Sequence, residues 1–165
     1  MTRPLSHRSL STASLGLALV LAAAMPGTAM ADAAKSPTEP RVVVTAQSYE
    51  QVLSRLEKSI AENKMGLVAQ ASASKGAASR GVKIPGNTVL MVFRPDFAIR
   101  MLKASIPAGI EAPLRIYVTE NATGSSITYH TPSATFAPYG SAELNTLARE
   151  IDPIIEKIVA DATQP

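Results

Sequence analysis

Apolar residues recur along this chain at two periods, and each switch of period marks a new element. Val42-Val43-Val44 is a β-branched run that predicts a strand over Arg41–Ala46. Ser48 then offers an N-cap oxygen, and Gln51 sits three residues on as its capping-box partner. Behind that cap Val52, Leu53, Leu56 and Ile60 recur at helical spacing, with Glu50, Glu57, Lys58 and Glu62 on the other side. This helix is expected to reach Asn63 or Lys64, with Gly66 as its stop. Leu67–Ala73 reads as a strand of mostly small residues. Gly76, Gly81, Pro85 and Gly86 break up Ser74–Asn87, where Lys75–Arg80 has room for a helical turn or two.

Thr88–Phe93 is the most apolar stretch beyond residue 31 and predicts a central, buried strand. Phe93, with Leu56, is therefore expected in the core. Pro95-Asp96 suits the first turn of a helix, where Pro lacks no needed donor and Asp faces the positive end of the dipole. Phe97, Met101 and Leu102 supply that helix with an apolar stripe, and Pro107 with Gly109 ends it. Leu114–Glu120 alternates Leu114, Ile116 and Val118 with Arg115, Tyr117 and Thr119. Asn121-Ala122-Thr123-Gly124 is a turn, and Ser125–His130 returns as the partner strand of a hairpin. Thr131–Gly140 carries two prolines and reads as an irregular excursion. A last helix over Ala142–Ala162 aligns Leu144, Leu147, Ile151, Ile154, Ile155 and Ile158, with Pro153 kinking or splitting it. Helices with one apolar face need a sheet to cover, so the order of elements predicts an α+β two-layer sandwich. A mainly antiparallel sheet would be covered by about three helices, in a single domain over residues 41–165.

Composition changes this picture mainly at the N-terminus. Met1–Ala31 places Arg3, His7 and Arg8 before the apolar run Leu15–Met25, and then Ala29-Met30-Ala31. That order reads as a secretory signal peptide cleaved after Ala31, with the periplasm as the expected destination. The apolar run is too short to span a bilayer, and a lone Arg8 does not make a twin-arginine signal. Asp32–Pro40 is polar, contains Pro37 and Pro40, and is expected to be a disordered leader. The whole chain has 165 residues, with 16 Lys+Arg against 13 Asp+Glu. Removal of Arg3 and Arg8 leaves 14 basic groups against 13 acidic ones, a net charge of +1. Basicity therefore gives no support to a nucleic-acid partner. With no cysteine, disulfides, thiol chemistry and cysteine metal sites are excluded.

Candidate chemistry is sparse. His130 is the one histidine beyond the leader, and no Ser or Asp at a suggestive spacing joins it into a hydrolytic set. Met65, Met91 and Met101 are spaced for packing rather than for a metal. Lys75, Arg80 and Lys83 decorate a Gly-rich connection without a phosphate-binding motif, and no cofactor is implied. Arg94 lies where the most apolar strand meets a helix N-terminus, and Arg115 starts the hairpin. If Arg94, Arg115, Tyr129 and His130 converge at one end of the sheet, they make an anion- or carboxylate-binding spot. Alternation sends Tyr129 and His130 to opposite faces, so at most one of the two joins Arg115 unless the strand ends first.

Several strings, taken in order, resemble the family called domain of unknown function 302. They are Val92-Phe93-Arg94-Pro95, Pro107-Ala108-Gly109-Ile110, Ala112-Pro113-Leu114-Arg115-Ile116-Tyr117-Val118, and Gly124 with Tyr129-His130-Thr131-Pro132. The resemblance covers about Val42–Ala162 and implies a small two-layer fold, often dimeric, with no established activity. Many members carry a His shortly after the second strand, where this chain has Ser72-Ala73-Ser74. Two functions stay open at this point. One is an exported, non-enzymatic module that binds a small anionic ligand or a protein partner and forms a homodimer through the hairpin or the last helix. The other is a hydrolase- or isomerase-like enzyme that acts on a small acidic metabolite through His130 and Arg115.

Overall fold

The computed structural model describes residues 39–164. The expected signal peptide, and all of the expected leader except Glu39 and Pro40, lie outside the described residues. Five strands form one antiparallel sheet: β1 (Arg41–Thr45), β2 (Gly66–Ala71), β3 (Asn87–Phe93), β4 (Leu114–Asn121) and β5 (Gly124–Tyr129). Their spatial order is β1-β5-β4-β3-β2. The predicted hairpin is β4–β5, with Ile116 opposite Tyr129 and Val118 opposite Ile127. Its turn closes on Gly124 at φ +151°, where a side chain would run into the Thr45 carbonyl of β1. Glycine is needed there for a close approach as well as for the dihedral.

Five helices accompany the sheet among the described residues. They are α1 (Tyr49–Glu62), α2 (Ala73–Ala78), α3 (Pro95–Ala104), α4 (Pro132–Phe136) and α5 (Ala142–Thr163). The α+β two-layer reading therefore holds, with two short helices beyond the three that periodicity marks. In α1 the capping box forms as the spacing predicts: the Gln51 amide donates to Ser48 Oγ, and the Ser48 amide donates to Gln51 Oε1. The end of α1 differs from expectation. Lys64, at φ +58°, takes the left-handed position, while Gly66 opens β2. The Lys64 amide reaches the Ala61 carbonyl and the Met65 amide reaches that of Ile60. Ile60 and Met65 are both buried. This paired arrangement, with a hydrophobic contact across it, stops a helix without glycine.

One sheet face holds the core. Leu90, Val92, Ile116, Val118, Ile127 and Tyr129 are buried there against Val52, Leu56 and Ile60 of α1, Phe97 and Met101 of α3, and the α5 stripe. Leu144, Leu147, Ile151, Ile155 and Ile158 of that stripe are buried, and Ile154 is half-buried against the core. The central strand is β4. β3 lies one place in from the β2 edge and buries only alternate residues. Phe93 accordingly falls on the outer face, half-buried and outside the core, because alternation assigns the inner face to Val92. Leu102 is likewise exposed on α3, where Phe97 and Met101 carry the buried contacts. α5 runs unbroken through Pro153, which is exposed. The lost amide donor thus lies on the solvent side, where water can satisfy the carbonyl of Arg149.

Candidate functional site

The site geometry begins at the junction of β3 and α3. Arg94 is the N-cap residue of α3, with extended backbone at φ −143° and no side-chain cap bond of its own. Its guanidinium donates from Nε to Asp96 Oδ1 at 2.8 Å and from Nη2 to Asp96 Oδ2 at 3.0 Å. The same group lies 3.4 Å from the centroid of the Phe97 ring. The hydrogen bonds and charge of Arg94 hold the Asp96 carboxyl below its ordinary value. A pre-proline residue is biased to extended geometry, and this turns the Arg94 side chain back over the helix that follows.

Beneath Arg94 lies an apolar cavity of about 30 Å³. Val92 and Leu114 of the sheet line it, with Met101 of α3, Phe136 of α4, and Leu147 and Ile151 of α5. Met65, Phe93, Phe97, Ala98 and Ala112 also border it, and Arg94 is the one charged residue in the lining. Five separate stretches of chain therefore meet at this point. The carboxylates nearby are engaged in ties between elements. Asp152 of α5 accepts the Ser133 amide at 2.9 Å, and also the Ser133 hydroxyl, at the start of α4. Arg100 of α3 and Glu150 of α5 form a two-point pair at 2.7 and 2.8 Å.

The four residues expected to converge do not come together. Arg115 stands on the outer face with its side chain 65% exposed, 3.8 Å from Glu111, whose other oxygen accepts the Tyr139 hydroxyl at 2.9 Å. That hydrogen bond raises the Tyr139 pKa, since the phenol must keep its proton to donate. Tyr129 points to the core face and is 5% exposed. Burial pushes its pKa up, aided by the charge of Glu156. His130 follows β5 and is exposed, and continuation of the β4–β5 register sets it opposite Arg115. Arg94 lines a cavity on the helix side, so the sheet itself separates the two arginines.

Sequence reasoning singled out Arg94 but not its setting. Asp96 was legible only as a dipole partner. That Met65, Met101, Phe136 and Leu147 meet in one wall had no local signal, because they are far apart in sequence. Among the described residues, no group of three or more His, Asp or Glu side chains gathers to hold a metal ion. No helix there is long and apolar enough to cross a membrane.

Comparison with known proteins bears on family and fold. Nothing among curated proteins matches the chain significantly. One similar solved structure is the crystal structure of an uncharacterized conserved protein DUF302 from Bacillus stearothermophilus. It is 18% identical, with a TM-score of 0.67 over 74% of this chain and 97% of that one. At that identity the likeness speaks for the fold alone, a five-stranded open sheet with helices. Residues 41–162, from the first strand almost to the end of α5, match the domain of unknown function DUF302, and the chain belongs to that family.

Proposed function

We propose that this chain works outside the cytoplasm as a non-enzymatic binding or interaction module that pairs with a second copy of itself. The observation that carries this reading is the outer face of the sheet. Antiparallel sheets that face water alternate apolar-in with polar-out. Here Val42, Val44, Val89, Met91, Phe93 and Tyr117 all occupy outward positions, and Arg115 is the one charged residue at such a position of the five strands. Val42 is 49% exposed and Val44 is 68% exposed, and none of the six belongs to the core. Depletion of charge is the mark of an interface centre. At strand spacings of about 4.8 Å and about 3.3 Å per residue, the face measures roughly 500 Å². Two copies face to face would bury about 1,000 Å², the threshold that a biological interface must clear. The hairpin contributes the middle of this face, whereas the apolar stripe of α5 is already spent in the core.

Sedimentation of the purified protein at micromolar concentration tests the pairing. Twice the chain mass is expected, falling to the single mass in Tyr117→Glu and Val44→Lys. Both side chains are exposed, so the fold should survive the changes. A monomer in the unaltered protein, or an unaffected dimer in both variants, overturns the reading. Export is tested separately by N-terminal sequencing of the secreted product, expected to begin Asp32-Ala33-Ala34; a retained Met1 in the membrane fraction refutes it. The enzyme reading through His130 and Arg115 has in its favour only their opposed positions on the register.

A further inference from the structure

We propose that the cavity under Arg94 is a binding site for a small monocarboxylate with a short apolar tail. The tail half of the argument is the lining. A cavity of about 30 Å³ has room for roughly two water-sized groups, and its apolar lining favours an apolar guest over water. Met65 and Met101 lie in its wall, and methionine is the side chain that yields most readily to an irregular guest. A tail of about two carbons matches that room; a branched or longer alkyl group or a ring system exceeds it.

The head half is Arg94. Its bond to Asp96 uses Nε and one proton of Nη2. A guanidinium has five N–H donors in a fixed fork. The edge formed by Nη1 and the second Nη2 proton therefore stays open, and among the described residues it has no partner. That edge can take a second carboxylate through two parallel hydrogen bonds. Asp96 and Phe97 already fix the guanidinium in place, so the ligand would find its donor pre-oriented. Asp96 itself is 61% exposed on its side chain, so solvent screens its charge from a second carboxylate. Lysine at this position would offer the charge without the fork.

Methyl-labelled methionine gives a direct readout. Met65 and Met101 face the cavity, while Met91 lies on the outer face of the sheet. Titration of the purified protein with propanoate should shift the Met65 and Met101 methyl resonances saturably and leave Met91 unmoved. The neutral propanamide, of the same shape, should bind about tenfold more weakly or worse, as should the acid to Arg94→Gln. Absence of any shift at Met65 and Met101 up to the solubility limit overturns the site. Equal binding of acid and amide to the unaltered protein overturns the role of Arg94, even if the variant fails to fold. None of these outcomes depends on whether the protein is a monomer or a dimer.

Discussion

At the scale of single residues, burial separates side chains that look equivalent in sequence. Leu56 and Phe93 are both large apolar groups in strongly patterned segments. Leu56 is 0% exposed at the centre of the helix–sheet layer, whereas Phe93 is half-buried on the outer face. Truncation of Leu56 to Ala should therefore cost about 2–5 kcal/mol, the usual range for a buried leucine. The same change at Phe93 should cost under about 2 kcal/mol, because little cavity is left behind. Guanidinium unfolding of the two variants at a concentration where the chain is a single copy checks this, and equal losses there would mean that the outer face is covered within the monomer. Arg94 teaches a similar lesson. Its charge was legible from the sequence, but whether that charge was free, paired or stacked depended on Asp96 and Phe97 in the next helical turn.

Helix ends and interruptions belong to the scale of elements, and here local rules worked unevenly. The Ser48–Gln51 box was legible because both partners lie within one turn. The stop at Lys64 was not, because it depends on Ile60 meeting Met65 over the end of the helix, a contact that outweighs the left-handed cost at a non-glycine residue. Pro153 shows how position decides. Proline in a helix interior is about 3 kcal/mol less favourable than Ala, yet α5 continues because the proline faces solvent. Pro153→Ala restores a backbone donor without disturbing the core. It should raise stability by about 1–3 kcal/mol, seen as a higher Tm. An unchanged or lower Tm would show that the proline fits a bend which α5 needs.

Over the whole molecule, carboxylates held by basic side chains set the acid limb of the response to pH. Hydrogen bonds from Arg94, Arg100 and Lys157 hold Asp96, Glu150 and Asp161 below their ordinary values of 3.8, 4.5 and 3.8. Arg100–Glu150 links α3 to α5, and Asp161 links α5 to Ser59 and Asn63 near the end of α1. A carboxyl depressed in the folded state contributes stability above its unfolded value and loses it as pH falls through the folded one. Stability should therefore be level near neutrality and decline below about pH 4.5. Each pair is exposed, so each contribution is small, and Arg100→Gln should make the acid decline shallower. At the alkaline end Tyr129 has the opposite sign. Its raised value means stability is lost as pH climbs past the ordinary 10.0. Chemical unfolding midpoints measured across pH test both limbs, and a decline that begins near pH 6 would point to a different group.

Short-range physics wrote the element order, the hairpin, the α1 cap and the α+β class into the sequence, because period, capping and turn chemistry act within a few residues. The alternation of Arg115 and Tyr117 against Ile116 and Val118 also told which hairpin side chains share a face. The tertiary structure alone decided what those faces meet. Register against β3 and β1 made the outer face broad and almost free of charge. Packing of α3, α4 and α5 over Val92 and Leu114 left a void under Arg94. The sheet lies between Arg94 and Arg115 because Arg94, one residue past β3, and Arg115 of β4 face opposite sides, and no spacing along the chain encodes which side of a neighbouring strand a residue will occupy. Contacts between residues distant in sequence are set by how whole elements stack, and that is a property of the assembled layers rather than of any segment within them.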